Sequence, residues 1–327
     1  MLDSDPPRPA AARSVVPGDV PGCRLPLIAT GLAPNVVRPA RDGDVIVRPW
    51  LSPGIAGVEL LAIYRGPGMA NIDISAVDGH STGGTAGQGL GAIRRLAEEF
   101  DLASTPGSGT VVMARVWDVR PHSYLDVGAV ALPRRDETIS GDGWLISEDE
   151  HRSVVVVIDG LGHGPAAAAA SEAALESASQ NLGESAREIL TRINLRLRST
   201  RGAAGAVAEL RRDTNEVVFA GIGNVAGVLV TEARQQWLLT HNGTLGLEKP
   251  SARETRYPFP PGALLVMHTD GLLTQWKLDR YGAFGRLRPS VLAGLLYRDY
   301  TRGRDDVSVI AMRQVNERAD LSTTGNP

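Results

Sequence analysis

The pattern of apolar and polar positions is most informative around Asp159. The preceding run, Val154–Ile158, consists only of β-branched residues, which is typical of a strand buried on both faces. Three glycines then alternate with other residues in a turn, and Pro165 opens an alanine-rich segment, which predicts the start of a helix. We therefore expect Asp159 at the mouth of a buried strand, where glycines let the backbone approach a ligand closely.

The same pattern predicts mixed α and β structure along the rest of the chain. Before residue 118 it predicts two extended runs, a helix and a strand: Asp44–Trp50, Val58–Ile63, Ala92–Phe100 and Thr110–Trp117. After residue 122 it predicts strands at Leu125–Leu132, Gly205–Leu210, Glu216–Ala220, Ala226–Thr231, Trp237–Thr240, Ala263–His268 and Val307–Met312. Helices are predicted at Ala166–Asn181, Glu184–Ser199 and Pro289–Tyr297, and Arg120–His122 is the expected linker between two domains.

Composition narrows the class of protein. The chain has 327 residues and a net charge of -3, so neither nucleic acid nor an anionic membrane is favoured as a partner. A single cysteine, Cys23, excludes an internal disulfide framework and suits a reducing cytoplasm. The sequence shows no bilayer-spanning run and no signal-peptide core, so we expect a cytoplasmic protein. Residues 1–22 are expected to be disordered and residues 316–327 to form a loose tail.

Acidic residues stand at four predicted strand ends or turns in the second half of the chain: Asp142, Asp159, Asp270 and the pair Asp305/Asp306. Each one alone is explained by turn chemistry, because aspartate before glycine is common in turns. Four such positions in one domain are harder to assign to turns. Carboxylates and backbone carbonyls are the ligands that hard divalent cations prefer, and two such cations can activate water against a phosphoryl group.

Other hydrolytic chemistries find little support in the sequence. No cysteine lies near the acidic positions, and no Ser/His/Asp arrangement with a nucleophile elbow is visible. His163, His241 and His268 lack the spacing of zinc ligands. The residues therefore favour metal-dependent hydrolysis without a protein nucleophile.

Several segments in this half of the chain resemble the metal-dependent PPM/PP2C-type phosphatases of the bacterial SpoIIE branch, in particular RsbX-like stressosome phosphatases. The matching pieces occur in family order as SGDGW, VVVIDGLGHGPAAA, TRGAAGAVAEL, FAGIGNVAGVL, HNGTLGL, MHTDGLLTQW and RGRDDVSVI. The resemblance implies a PP2C-like α/β sandwich for residues 122–315, with two largely antiparallel sheets flanked by helices.

The resemblance also implies roles for individual residues. Two ions, Mn²⁺ or Mg²⁺, would be held by Asp142, Asp159, the carbonyl of Gly160, Asp270 and Asp305, with Asp159 bridging both. Asp306 fits the ligand pattern less well. His163 is the candidate general acid for the leaving serine or threonine oxygen, or else a residue that holds the turn. Arg134 and Arg135 would grip phosphate, or else form a solvated pair.

The first half of the chain resembles the GHKL ATPase domain of RsbT-type anti-sigma-factor kinases. The segments RGPGM and STGGTAGQGLGAIRRL are similar to its glycine boxes and lid, and residues 25–40 fall where its ATP-contacting helix belongs. The implied domain covers residues 23–118. Its nucleotide-contacting positions would be Asn35, Gly66, Gly68, Gly89 and Gly91, although an ordinary glycine loop is the alternative.

Departures from the kinase pattern argue against ATP as a cofactor. Gly31 stands where the family has a glutamate base, and Tyr64 stands where an aspartate reads adenine. Pro34 interrupts the segment beside Asn35. Without its base, a phosphoryl-transfer site loses the group that orients the nucleophile. We therefore expect a truncated, degenerate GHKL-type α/β sandwich with a docking or regulatory role.

The function predicted from the sequence is dephosphorylation of phosphoserine or phosphothreonine on STAS-domain regulators. These would be anti-sigma-factor antagonists or stressosome proteins of a partner-switching stress response, with an anti-sigma factor or kinase as a further partner. Two alternatives remain open at this point. One is an anti-sigma-type kinase–phosphatase fusion, and the other is a non-catalytic scaffold that binds STAS partners through both domains.

Overall fold

The computed structural model describes residues 42–52, 55–69, 89–117, 119–120, 122–247, 252–282 and 284–315. They form two compact units. The larger unit contains Ser123–Arg280 and residues 300–315, and the smaller one contains the described residues up to 122 together with Tyr281–Asp299. Both predicted tails and segment 25–40 lie outside the described residues. Within the described ranges, no helix combines the length and apolar character needed to cross a bilayer.

The secondary-structure elements are numbered in chain order. The strands are β1 Asp42–Ser52, β2 Ile55–Arg65, β3 Glu99–Thr105, β4 Gly109–Trp117, β5 Leu125–Leu132, β6 Asp142–Glu148, β7 Arg152–Gly160, β8 Ala203–Arg211, β9 Glu216–Ile222, β10 Ala226–Val230, β11 Gln235–Trp237, β12 Thr255–Pro258, β13 Leu264–His268 and β14 Val307–Gln314. The helices are α1 Gly89–Leu96, α2 Pro165–Ser179, α3 Ala186–Arg196 and α4 Pro289–Tyr300.

The larger unit is built on two five-stranded antiparallel sheets, β11-β10-β13-β14-β5 and β12-β9-β8-β7-β6. In β7, Val155 and Val157 belong to a core shared with β5, β13 and β14 of the other sheet. Val154, Val156 and Ile158 belong to a second core with α2 and α3. Strand β7 is therefore covered on both faces, which explains its uninterrupted apolar sequence.

Helices α2 and α3 begin where the sequence chemistry places them. Pro165 occupies the first turn of α2, directly after Gly164, whose φ of 74° suits glycine. Helix α3 begins at Ala186 because Ser185 forms a capping box with Glu188. The fold class predicted for this unit, an α/β sandwich of two antiparallel sheets flanked by helices, is confirmed.

The smaller unit contains one four-stranded antiparallel sheet, β1-β2-β4-β3. Leu90 and Ile93 of α1 pack in a core that contains alternate residues of β2 and β4. Ile63 and Val111 belong to the opposite alternation, and a Cβ at Gly294 of α4 would lie 2.7 Å from Val111 Cγ1 and 3.4 Å from Ile63 Cγ1. Helix α4 therefore lies against the face of the sheet opposite α1.

A buried ionic network attaches α4 to this sheet. Glu59 of β2, only 1% exposed, accepts hydrogen bonds from Arg115 Nε (2.7 Å) and from Ser290 Oγ of α4 (2.6 Å). Arg48 Nη2 donates to the other carboxylate oxygen (2.8 Å). Burial by itself raises the pKa of Glu59, but Arg48 and Arg115 outweigh it and hold the pKa below its ordinary value. The charge of Glu59 is thus matched within the core.

Two predicted elements differ from the structure. The helix predicted over Ala92–Phe100 is wrong in its second half, because α1 ends at Leu96 and β3 begins at Glu99 to pair with β4. The strand predicted over Trp237–Thr240 is wrong in position, because Gln235–Trp237 pairs with β10. The sequence pattern does not predict β6, nor does it predict β12, whose four residues end in a proline.

Candidate active site

Two of the predicted acids stand side by side at one edge of a sheet. Asp142 opens β6 and is the direct pairing partner of Asp159, which lies one residue before the end of β7. On the other side of β7, Asp159 pairs with Ala204 of β8. Because paired residues of antiparallel strands project to the same face, both carboxylates lie on one side of this edge.

The second sheet brings its acids to the same place. Asp270 lies two residues after the end of β13, and Asp305 lies two residues before the start of β14. Thr269 Oγ1 donates a hydrogen bond to Asp142 Oδ2 (2.7 Å) and accepts one from Ser308 N–H (2.9 Å), so one buried hydroxyl connects the acid-bearing ends of both sheets. The structure therefore assembles acids that are more than a hundred residues apart in the sequence.

Asn224 is a neutral partner of these acids. It follows β9 and donates from Nδ2 to Asp270 Oδ2 (2.7 Å), and its side chain acts to lower the pKa of Asp159. Sequence reasoning missed the roles of Asn224 and Thr269. The only available signal was position, because Thr269 directly precedes Asp270 and Asn224 follows a glycine turn at a strand end.

Asp306 has a structural task that Asp305 lacks. It is 3% exposed and accepts hydrogen bonds from Arg134 N–H (2.8 Å) and Gly141 N–H (2.6 Å). These bonds tie the loop between β5 and β6 to the segment before β14. Asp305 is partly exposed, and the Asp306 N–H (3.0 Å) is the only donor to its carboxylate among the residues that the structure describes.

The electrostatics of this cluster are those of crowded carboxylates. Burial raises the pKa of Asp159 to about 7, with Asp270, Asp305 and Asp306 adding to the effect. Burial and Asp159 likewise raise the pKa of Asp142 well above its ordinary value. Burial is also the main cause of the raised pKa of Asp305.

Oxygen donors without basic partners suit divalent cations. Within the ranges that the structure describes, none of these carboxylates forms an ion pair with a lysine, arginine or histidine. Their partners are hydroxyls, an amide and backbone N–H groups, which leaves several carboxylate oxygens available for a cation. Among the described residues, no group of three or more acidic, histidine or cysteine side chains is arranged as a complete set of metal ligands. The structure therefore does not by itself assign individual metal positions.

Gly160 brings the turn after β7 close to α2. A Cβ at this residue would lie 2.3 Å from the carbonyl oxygen of Ala167 and 2.8 Å from that of Gly141. The Gly160 N–H donates to the same Gly141 carbonyl (3.1 Å). Only glycine permits this packing, which sets the direction of the Gly160 carbonyl.

His163 lies on the exposed side of this glycine turn. Its Nδ1 is 2.8 Å from Glu137 Oε1, in the loop that Asp306 holds. Sequence reasoning did not single out Glu137. Arg134 is engaged with Asp136 through two hydrogen bonds, and Arg135 is exposed on the same loop.

The predicted nucleotide site of the smaller unit is described only in part. Gly68 has a φ of +67°, and a Cβ there would overlap the Thr105 carbonyl, so this glycine is explained by packing against the β3–β4 turn. Gly66 lies near Gly68 in the segment that follows β2, and Gly89 and Gly91 lie in the first turn of α1. Asn35 and Gly31 lie outside the described residues, and the nucleotide site stays a prediction.

Tyr64 has a structural role in the same unit. It is 8% exposed and packs in the core that contains Leu90 and Ile93. Burial raises the pKa of its hydroxyl, and Thr110 partly offsets this effect. The position at which the kinase pattern requires a nucleotide-reading aspartate is therefore occupied by a core aromatic residue.

The metal-free protein should lose stability as the pH rises from about 4 to about 7. In this range the folded state retains a proton on Asp159 that the unfolded chain, with an ordinary carboxyl pKa near 4, has released. The free energy of unfolding therefore falls with increasing pH, and the raised pKa of Asp142 acts in the same direction. Urea denaturation in EDTA at a series of pH values measures this change in the free energy of unfolding. In the D159N variant the free energy of unfolding should depend less on pH. An unchanged pH dependence in that variant would contradict the raised pKa of Asp159.

The fold and the acidic strand ends define a PP2C-type phosphatase unit. The family model for stage II sporulation protein E (SpoIIE) matches residues 149–314, which is about half of the chain. The chain belongs to the SpoIIE family of protein serine/threonine phosphatases.

Two curated relatives come from Bacillus subtilis (strain 168). Phosphoserine phosphatase RsbX is 23% identical over 155 residues, which cover 47% of this chain and 78% of RsbX. Serine/threonine-protein kinase RsbT is 34% identical over 100 residues, which cover 31% of this chain and 75% of RsbT. The chain thus has similarity to both a phosphatase and a kinase.

Solved structures support the same fold. A chain from work on the bacterial stressosome, described as a modular system adapted to control secondary messenger signalling, is 30% identical with a TM-score of 0.55. The alignment covers 58% of this chain and all of that one. The structure of RsbX in complex with magnesium is 21% identical with a TM-score of 0.53, over 61% of this chain and 99% of RsbX.

Proposed function

We propose that this phosphatase uses two divalent ions, Mn²⁺ or Mg²⁺, to remove phosphate from serine or threonine residues of STAS-domain regulators. The observation that carries the metal requirement is the convergence of acids from both sheets with no basic partner in the described structure. The RsbX structure with magnesium supports the choice of a hard divalent ion.

The proposed ligands are Asp142, Asp159, Asp270, Asp305 and the Gly160 carbonyl, with Asp159 shared between both ions. When bound, the ions would supply a nucleophilic hydroxide at neutral pH and offset the charge of the phosphoryl group. Thr269 and Asn224 orient the carboxylates through their hydrogen bonds. Asp306 keeps the β5–β6 loop in place.

His163 would donate a proton to the leaving serine or threonine oxygen. Its contact with Glu137 engages Nδ1 and leaves Nε2 as the nitrogen available for proton transfer. The alternative role, holding the turn, predicts a different result in the following experiment.

Replacement of His163 by alanine should slow hydrolysis of a phosphoserine peptide by about 100-fold, because general acids contribute roughly 10²–10⁴-fold. Hydrolysis of p-nitrophenyl phosphate should fall much less, since its leaving group is a weak base. The kcat values on both substrates, measured in Mn²⁺, decide the matter. Equal losses on both, with a lowered Tm, would show that the residue holds the turn instead.

The substrate class rests on the relatives. Similarity to RsbX and to a stressosome chain favours a phosphorylated STAS-domain protein of a cytoplasmic partner-switching system. The direct test is release of phosphate from a phosphorylated STAS-domain protein in Mn²⁺ and in EDTA. Mn²⁺-dependent release supports the proposal. Release of phosphate in EDTA at the same rate would contradict the metal requirement, and activity only on unrelated phosphopeptides would contradict the substrate class.

We also propose that residues 23–118 form a degenerate GHKL-type domain that docks partners, and that residues 122–315 form the phosphatase domain. The RsbT similarity supports the first assignment, while Gly31 and the buried Tyr64 argue against kinase activity. The residues that match the SpoIIE model include α4, although α4 packs on the sheet of the smaller unit. Titration with a fluorescent ATP analogue tests this view: saturable binding would favour a kinase–phosphatase fusion.

A further inference from the structure

Arg201 lies beside the glycine turn that follows Asp159. Gly160 pairs with Ala203, so continuation of the antiparallel register beyond the strand ends sets Arg201 opposite Gly162. The Leu161 N–H donates to the Gly202 carbonyl (3.0 Å), which shows that the pairing does continue into these loops. Arg201 is therefore carried to the acid-bearing edge by the same strand pair that positions Asp159.

The backbone around Arg201 is held on both sides. Thr200 Oγ1 donates to the Leu197 carbonyl (2.8 Å) and accepts from the Gly202 N–H (3.1 Å). Gly202 has a φ of +88°, and a Cβ there would lie 2.6 Å from the Leu245 carbonyl oxygen. A side chain presented from a fixed backbone loses less freedom when it binds a ligand.

The guanidinium of Arg201 extends over Gly162. Its Nη1 lies 3.1 Å from the point that a Cβ of Gly162 would occupy, so a larger residue in the turn would displace it. Arg201 is exposed, and no carboxylate of the described residues pairs with it. Arg134, by contrast, is engaged with Asp136.

A phosphate monoester that enters this site meets strong negative charge. It carries about two negative charges near neutral pH and approaches the carboxylates of Asp142, Asp159, Asp270 and Asp305. Arginine is suited to such a ligand, because its planar fork binds two oxygens at once and remains charged at any physiological pH. We propose that Arg201 binds the phosphoryl oxygens of the substrate. This inference rests on the proposed function, because the proposed function places the reaction at this edge.

The test compares R201M and R201K with the wild type and with R198M. Methionine keeps the aliphatic length of arginine and removes the charge, and Arg198 is an exposed arginine on the neighbouring 3₁₀ turn. Phosphate release from a phosphoserine peptide in Mn²⁺ gives kcat/KM, and inorganic phosphate as inhibitor gives a binding constant for the product. Half-activation by Mn²⁺ and Tm report on the metal site and the fold.

We expect R201M to lower kcat/KM by about 10- to 100-fold and to weaken phosphate inhibition by a similar factor, because hydrogen bonds to charged groups are the strong ones. R201K should recover part of both, while Mn²⁺ activation and Tm stay unchanged and R198M matches the wild type. If R201M keeps the kcat/KM and the phosphate inhibition of the wild type, the proposed role of Arg201 is overturned, whereas the proposed function is not. Inactivity of the wild type and R198M in Mn²⁺, both on the peptide and on a phosphorylated STAS-domain protein, would overturn the proposed function and this inference with it.

Discussion

Replacement of Asp159 by asparagine should reduce Mn²⁺-dependent phosphate release by about 10³-fold or more. The carboxylate lies between the acids of both sheets, and loss of residues that only orient metal ligands already costs roughly 10–100-fold. Asparagine has nearly the same shape, so the packing around β7 is retained. Measurement of kcat/KM on a phosphoserine peptide over a range of Mn²⁺ concentrations gives the loss and any shift in metal requirement.

Asp213 provides the matched control for this experiment. It is exposed beyond the other end of β8, where its carboxylate accepts a hydrogen bond from the Thr214 N–H. D213N removes the same charge from the same sheet and should retain wild-type kcat/KM. Activity of D159N within tenfold of the wild type would show that hydrolysis takes place without this carboxylate, and the proposed ligand set would fall.

The second large effect is expected from replacement of Gly160 by alanine. A methyl group there would meet the Ala167 carbonyl at 2.3 Å, so α2 or the turn after β7 must move. Overpacking of this kind costs about 1–3 kcal/mol and occasionally more. We expect a free energy of unfolding lower by about 3 kcal/mol. Phosphatase activity should fall by more than about 100-fold, because the displaced Gly160 carbonyl and its neighbour Asp159 no longer hold their geometry.

Gly183 is the control for the steric argument. No atom lies within 4 Å of a Cβ placed there, and its φ is outside the left-handed region. G183A should change the free energy of unfolding by less than about 1 kcal/mol and leave activity intact. Urea denaturation and phosphate release on both variants separate the two contributions. If G160A has the same free energy of unfolding and the same phosphatase activity as G183A, the close approach of α2 to this turn is not required.

Much of the fold could be predicted because its signals are local. Each of three signals involves only residues that are close together in the sequence: the β-branched run of β7, the proline that opens α2 and the capping box of α3. Strand β5 is predicted with its observed ends for the same reason. The errors occur where pairing decides the outcome: the residues after Leu96 continue a helical pattern but pair with β4, and a short β11 takes its register from β10.

The candidate site could be predicted only as a set of separate acids. Asp305 and Asp306 are neighbours of identical type, and only the family resemblance, not their local sequence context, distinguishes them. Asp306 differs because its partners, the N–H groups of Arg134 and Gly141, lie far away in the sequence. Glu137 and Asn224 were missed for the same reason, since each acts through a residue that the chain brings near only when it folds.

Sequence alone determined that this protein has a mixed α and β architecture and that Asp142, Asp159, Asp270 and Asp305 stand at strand ends or in the turns beside them. Hydrophobic periodicity and Asp-Gly turns report on a residue and its immediate neighbours, so these conclusions needed no tertiary contact. Only the tertiary structure decided that the four acids share one edge of two facing sheets, and that α4 is buried against a sheet more than a hundred residues earlier in the chain. The physical reason is that strand register and helix packing depend on which distant surfaces exclude water together, and no local pattern encodes that choice.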